Sequence, residues 1–238
     1  MLDVISTGSK ALDLLLHNGI KRGLLYCIFG PAGSGKTQLC MQLTINALKS
    51  YSSGYVLIVD AKGEFKIERV VEMIKYSYSN ANFTDRIYIN RVYNTNELFN
   101  SINYIDTRKS LVIVEDVPQL FRLEYGSNSM EGNFMLMRLM RRLAVNAVLM
   151  NTAVIVTNGV ASVIEDQEYR YKYRQIMDRA LSMFAHYKLM LTRLNSSNNY
   201  TIVKATLIYP LLSSNKEALF KIEADGIKDV EYYHEYYR

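Results

Sequence analysis

The stretch that most constrains this chain is Gly30-Pro31-Ala32-Gly33-Ser34-Gly35-Lys36-Thr37. It fits G-x-x-x-x-G-K-[ST], a loop whose glycines let consecutive backbone N–H groups point at one anion. The flanks agree with the motif. Leu24 to Phe29 is a short apolar run that reads as a buried strand, and Gln38 to Leu48 carries apolar residues at helical spacing. A helix that begins at the loop adds the positive end of its dipole. In such a loop the lysine, here Lys36, reaches the outer phosphates of a nucleotide, and the Thr37 hydroxyl binds Mg²⁺.

The rest of the chain repeats the same alternation. Tyr55 to Asp60, Ile87 to Ile89, Leu111 to Val114 and Ala153 to Thr157 read as strands. Phe65 to Tyr78, Asn96 to Ile105 and Phe134 to Met150 read as helices between them. Continuous apolar strands alternating with helices predict an α/β fold, a mostly parallel sheet with helices on both faces. A short helix capped by Ser6 or Thr7 and ended by Gly19 precedes it. In the last third, Lys188 to Leu194, Tyr200 to Leu207 and Ala218 to Ile222 are strands with no helix between them. Asn195 to Asn199 makes a hairpin loop, so a C-terminal antiparallel extension follows the parallel core.

At 238 residues the chain predicts a single domain spanning 1–238, and about half of its residues are apolar, ample for one core. The two cysteines, Cys27 and Cys40, sit in apolar stretches and read as buried, reduced thiols. The start has neither a basic n-region nor an apolar h-region, and no apolar run reaches ~18 residues. The expectation is a cytoplasmic protein with no membrane partner. The net charge of +5 permits a nucleic-acid partner without requiring one. His17, His186 and His234 are scattered and suggest no metal site.

Several segments recur together, in this order, in one family: Ile5 to Leu15, the phosphate loop followed by Gln38, Val59 to Phe65, Leu111 to Arg122, Val154 to Val160, and Ala224-Asp225-Gly226-Ile227. The chain resembles the RecA-like recombinases, in the RadA branch and its paralogues, and most of all a core-only paralogue of the RadB kind. The resemblance covers nearly the whole chain. It implies a RecA-like core that binds ATP and Mg²⁺, oligomerises, and assists strand exchange on single-stranded DNA. The family's main recombinases carry an N-terminal helical DNA-binding domain and a polymerisation segment ahead of the core. This chain starts almost at the core, which points to an accessory role beside a main RecA/RadA-type recombinase, in a homo- or hetero-oligomer.

Three departures from the family pattern bear on hydrolysis. The family follows its second strand with Asp-Thr-Glu-Gly, whose Glu activates the attacking water; Lys62 stands in that slot. A cation cannot accept a proton from water. Glu64, two residues on, is the candidate substitute base. The family's strand-five Gln, which senses the γ-phosphate, is replaced by Gly159 in Thr157-Asn158-Gly159. The Mg²⁺-holding Asp at the end of strand four is replaced by Glu115, with Asp116 beside it, and either carboxylate suits a hard cation. Phosphoryl transfer depends on placing the water and stabilising charge. The expectation is therefore ATP binding with weak or absent hydrolysis.

In this family the loops after strands four and five face DNA. The first runs from Arg122 to Ser129 and reads as a polar loop. The second holds Tyr169-Arg170-Tyr171-Lys172-Tyr173-Arg174, in which aromatics alternate with cations. If extended, the segment offers rings on one face for unpaired bases and cations on the other for phosphates. If it opens a surface helix, the same residues only solvate it. Arg138, Arg141 and Arg142 read as the wet face of a helix, and the Tyr-rich end from Tyr232 as a frayed tail. Two further readings stay open: a DNA-stimulated ATPase of the recombinase family, and a KaiC-like regulatory ATP-binding protein acting on protein partners.

Overall fold

The computed structural model describes residues 4–77, 84–127, 129–162, 173–211 and 216–230. In chain order the elements are β1 (Val4–Ile5), α1 (Lys10–Leu15), β2 (Ile20–Lys21), β3 (Leu25–Phe29), α2 (Lys36–Ser50), β4 (Tyr55–Asp60), α3 (Ile67–Ser77) and β5 (Ile87–Arg91). Then come α4 (Thr95–Ser101), β6 (Lys109–Glu115), α5 (Pro118–Tyr125), α6 (Met130–Leu149), β7 (Ala153–Asn158), β8 (Val160–Ser162), β9 (Tyr173–Gln175) and α7 (Asp178–Ser182). The chain closes with β10 (Tyr187–Ser196), β11 (Thr201–Tyr209), β12 (Glu217–Glu223) and β13 (Gly226–Asp229).

One sheet of nine strands carries the architecture, in the order β13-β12-β11-β10-β3-β7-β6-β4-β5. From β10 across to β5 every neighbour pair is parallel; β11, β12 and β13 then add antiparallel. This is the expected mostly parallel sheet with its C-terminal antiparallel extension. The strands are apolar throughout because both faces are covered. Along β3, Tyr26 and Ile28 face the core under α1, α2 and α3, while Leu25 and Cys27 face the core under α4 to α7. Strand β6 splits the same way, with Leu111 and Ile113 to one side and Val112 and Val114 to the other.

Central α2 is buried nearly all round, from Leu39 to Leu48. Its C-terminal carbonyls find a cation in Arg86, which donates to Leu48 O, Tyr51 O and Gly54 O. The Gln42 side chain ties the same helix to the antiparallel extension by accepting from Ile227 N at 2.9 Å. Both cysteines are buried and unpaired, as the sequence implied. Burial pushes the Cys27 thiol up to about 12 and the Cys40 thiol well above its usual range.

Three readings need correction. The segment from Arg122 to Ser129 is not a loop from its start: Arg122 to Tyr125 form the last turn of α5, which opens with Pro118 in its first turn and ends at Gly126. Proline there loses no bond, because the first N–H groups of a helix have no intrahelical acceptor. Helix α1 is capped by Ser9, whose side chain accepts from Leu12 N, and not by Ser6 or Thr7. Helix α6 starts at Met130, earlier than the apolar period suggested, with the Ser129 side chain accepting from Gly132 N. Among the described residues no helix is long and apolar enough to cross a membrane.

Candidate nucleotide site

Strand β3 ends at Phe29 beneath the carboxyl edge of the sheet, and the glycine loop carries the chain from there into α2. Strand β3 sits between β10 and β7, and the chain crosses over α2 to reach β4 beyond β7 and β6. In open α/β sheets this edge is where ligands bind. Two glycines make the loop possible. At Gly30 a Cβ would lie 2.2 Å from the Leu191 carbonyl oxygen, so backbone passes backbone with no room for a side chain. Gly35 caps α2 in the left-handed region at φ 92° with no side-chain cap, which leaves the first N–H groups of the helix directed at the loop.

Lys36 folds back over the loop and donates to the carbonyls of Gly30 and Pro31, both at 2.9 Å. Burial lowers its pKa, the neighbouring Lys62 lowers it further, and Asp116 and Glu115 oppose the change. Beyond it the Thr37 hydroxyl donates to Glu115 Oε2 at 3.3 Å, and the Thr157 hydroxyl donates to the same oxygen at 3.1 Å. The Cys40 thiol lies against this carboxyl as well. Glu115 is 5% exposed, and burial raises its pKa. Its Oε1 takes no hydrogen bond from an N–H or hydroxyl group among the described residues. A buried carboxyl with one unused oxygen, next to the loop hydroxyl, is a fitting seat for a hard cation such as Mg²⁺.

Thr157 fixes both acidic residues. Its hydroxyl oxygen also accepts from Asp116 N at 2.9 Å, which holds Asp116 in a left-handed backbone conformation at φ 50°. Burial raises the Asp116 pKa, while the Lys62 and Lys36 charges pull it back down. Of the two acids it is Glu115 that the Thr37 hydroxyl touches.

The end of β4 supplies the other wall. Asp60 is 1% exposed and works as a turn former: its Oδ1 accepts from Lys62 N at 3.1 Å and Gly63 N at 2.8 Å, and its Oδ2 from Phe65 N at 3.1 Å. The turn presents Lys62 and Glu64, paired at 2.8 Å with side chains 39% and 56% exposed. Glu64 raises the Lys62 pKa, and the Lys62 charge is felt at Asp116 and Lys36. Gly159 follows β7, and among the described residues a Cβ there would meet only Ile176 Cδ1, at 3.6 Å. The neighbouring Asn158 donates from Nδ2 to Ile176 O at 2.7 Å, which pins the chain returning through β9 to the end of β7.

The structure thus gathers Gly30 to Gln38, Lys62, Glu64, Glu115 and Asp116 at one edge of the sheet. Arg122 stands apart on α5; its charge reaches Asp116, and it borders an open groove of about 860 Å³ lined by Met130, Phe134, Met137 and Met183. Residues 169–172 lie outside the described residues, and of Tyr173 and Arg174 only the backbone, in β9, is described. Sequence reasoning missed the parts played by Thr157, Cys40 and Asp60. An acid directly at the end of an apolar strand and before a glycine turn was the available signal for Asp60.

Sheet order, loop and acidic wall together define a RecA-like α/β core. The comparisons with known proteins narrow the class. The Rad51 family model matches residues 1–230, and the chain belongs to the Rad51 family. The family is ATP-binding, generally with Mg²⁺. Similar proteins include the DNA repair protein RAD51 homologs A and B of Zea mays, 27% identical over 241 residues and 26% over 239. The alignments cover 95% of this chain and 70% of each relative. A DNA repair protein RAD51 homolog of Solanum lycopersicum is 26% identical over 239 residues, 95% of this chain and 69% of that one.

Proposed function

We propose that this protein is an ATP-binding recombinase paralogue that acts in DNA recombination and repair, binding ATP·Mg²⁺ and hydrolysing it slowly or not at all. Gly30 to Gln38 hold the phosphates, with Lys36 exchanging its loop carbonyls for phosphate oxygens. Thr37 and Glu115 hold Mg²⁺, and the ion's part is to neutralise charge on the outer phosphates. The observation that supports slow hydrolysis is the turn on Asp60, which presents the Lys62 ammonium in the slot that the family pattern gives to a water-activating Glu. Glu64 is tied to that ammonium and half exposed, which does not favour it as a buried, tuned general base. In this reading bound ATP is a conformational and interface ligand more than a fuel.

Family membership and the DNA repair relatives support the proposed cellular role. The protein works alongside a main RecA/RadA-type recombinase on single-stranded DNA. Tyr169, Arg170, Tyr171, Lys172, Tyr173 and Arg174, with Arg122, are the proposed DNA contacts; the alternation of rings and cations in the sequence supports the first six.

Turnover measurements test the reading. Wild type should hydrolyse ATP well below about 1 s⁻¹, the lower end of ordinary enzymes, with little stimulation by DNA. Lys62→Glu with Gly159→Gln should raise turnover, because a positioned base contributes roughly 10²–10⁴-fold. Among the described residues a Cβ at position 159 meets only Ile176 Cδ1, at an ordinary contact distance, and the Lys62 side chain is 39% exposed. A fast wild-type rate that collapses in Glu64→Ala would instead make the protein an ATPase with a relocated carboxylate.

A further inference from the structure

We propose that Lys62 is a second phosphate-binding cation, one that selects a nucleoside triphosphate over a diphosphate and lessens the need for a divalent ion. The inference rests on the nucleotide-binding reading above. Two ammonium groups, on Lys36 and Lys62, flank one site: Lys62 sits on the turn held by Asp60, whose strand neighbour is Glu115, and Glu115 accepts from the hydroxyl of Thr37, the residue after Lys36. Each has only a provisional partner. Lys36 uses neutral carbonyls of its own loop. Lys62 uses Glu64, an exposed partner whose attraction water screens. A phosphate oxygen that enters the site displaces these partners at little expense.

Geometry assigns Lys62 to the far end of the ligand. The loop after β3 holds the near phosphates, and Lys62 reaches in from β4, two strands beyond β7 in the sheet. A cation from that side meets the terminal phosphate of a triphosphate and finds nothing on a diphosphate. The turn that carries it is fixed by three backbone bonds to buried Asp60, so the group is positioned in advance. The carboxylates opposite, Glu115 and Asp116, would repel a free triphosphate if no positive charge balanced them. Lys62 supplies one such charge covalently, in the role that a diffusible divalent ion otherwise fills alone.

The test is a binding equilibrium, read by calorimetry with ATP and ADP, each in Mg²⁺ and in EDTA. Wild type should keep ATP binding in EDTA within about tenfold of its value in Mg²⁺. Lys62→Met should lose roughly ten- to hundred-fold in ATP affinity in EDTA, the range for one hydrogen bond to a charged group, and less in Mg²⁺. ADP affinity should not move, and Lys62→Arg should restore most of the loss. Matching thermal unfolding of all three proteins separates weakened binding from a damaged fold. Equal or tighter ATP binding by Lys62→Met in EDTA would overturn the inference while leaving nucleotide binding intact. No binding of either nucleotide by wild type would overturn the nucleotide-binding reading itself, and this inference with it.

Discussion

Replacing Asp60 perturbs both fold and site through one carboxyl group. Its two oxygens take three backbone N–H groups, those of Lys62, Gly63 and Phe65, at 2.8 to 3.1 Å. In Asp60→Ala the buried Phe65 N–H loses its acceptor outright, at about 1–3 kcal/mol. The Lys62 and Gly63 N–H groups are only partly buried and can turn to water, so each adds roughly 0.5–1 kcal/mol. The expected loss is about 2–5 kcal/mol, out of the ~5–15 kcal/mol typical of a folded domain. Asp60→Asn keeps one acceptor oxygen for Lys62 and Gly63 and turns an NH₂ toward Phe65 N–H, so its loss should fall between wild type and alanine. Urea unfolding measures both: the midpoint should drop in the order wild type, Asn, Ala, with the slope unchanged. Because the turn aims Lys62 and Glu64, ATP affinity should fall in the same order. An Asp60→Ala midpoint shift equivalent to less than about 0.5 kcal/mol would refute the idea that this carboxylate holds the turn.

Other perturbations probe separate parts of the molecule. Gly30→Ala puts a methyl 2.2 Å from Leu191 O, so calorimetry should show ATP affinity falling more than about tenfold, with about 1–3 kcal/mol of stability lost to overpacking. His186 accepts from Leu25 N at Nδ1, 3.0 Å away, and burial pushes its pKa below the ordinary value. A depressed histidine pKa means the unfolded chain binds the proton more readily. Stability should therefore be fully present above about pH 6.5 and fall as pH drops below it, and His186→Gln should flatten that fall in a chemical-denaturation series. Replacing Tyr171, Lys172 and Arg174 together should weaken single-stranded DNA binding by about 1–3 kcal/mol for the missing stack and reduce the salt slope by ~0.7 for each phosphate no longer neutralised. Fluorescence anisotropy across a salt series reads both, and unchanged affinity and slope would return the segment to a solvated surface role.

Much of the architecture was legible because this sheet is buried on both faces. Tyr55 to Asp60 and Leu111 to Val114 are apolar almost without interruption, and only a sheet sandwiched by helices requires that. The phosphate loop was legible for a different reason: a Cβ at Gly30 would meet the Leu191 carbonyl, and Gly35 holds a left-handed backbone that strains other residues. What stayed hidden was short or long-range. Helix α5 has only eight residues, and its charged last turn, through Arg122 and Glu124, imitates a polar loop. Pro118 in the first turn was the overlooked start signal. Strands β8 and β13 are set by pairing with other strands, not by their own patterning. The site's inner wall was hidden for the same reason. Thr157 and Cys40 meet Glu115 only because β7 and α2 are brought against the end of β6, a juxtaposition no local pattern encodes. The side chains that change the chemistry, Lys62 and Gly159, were visible as departures from a known pattern.

A site that binds ATP but does little to break it is the central claim, and one paired measurement addresses it most directly. ATP·Mg²⁺ should be titrated calorimetrically into wild type and Lys36→Ala, and phosphate release followed on the same samples with and without single-stranded DNA. Wild type should bind saturably, and removing the Lys36 ammonium should weaken binding at least about tenfold, with turnover far below about 1 s⁻¹ in either sample. Equal affinity in the two proteins, or rapid phosphate release by wild type, would contradict the claim.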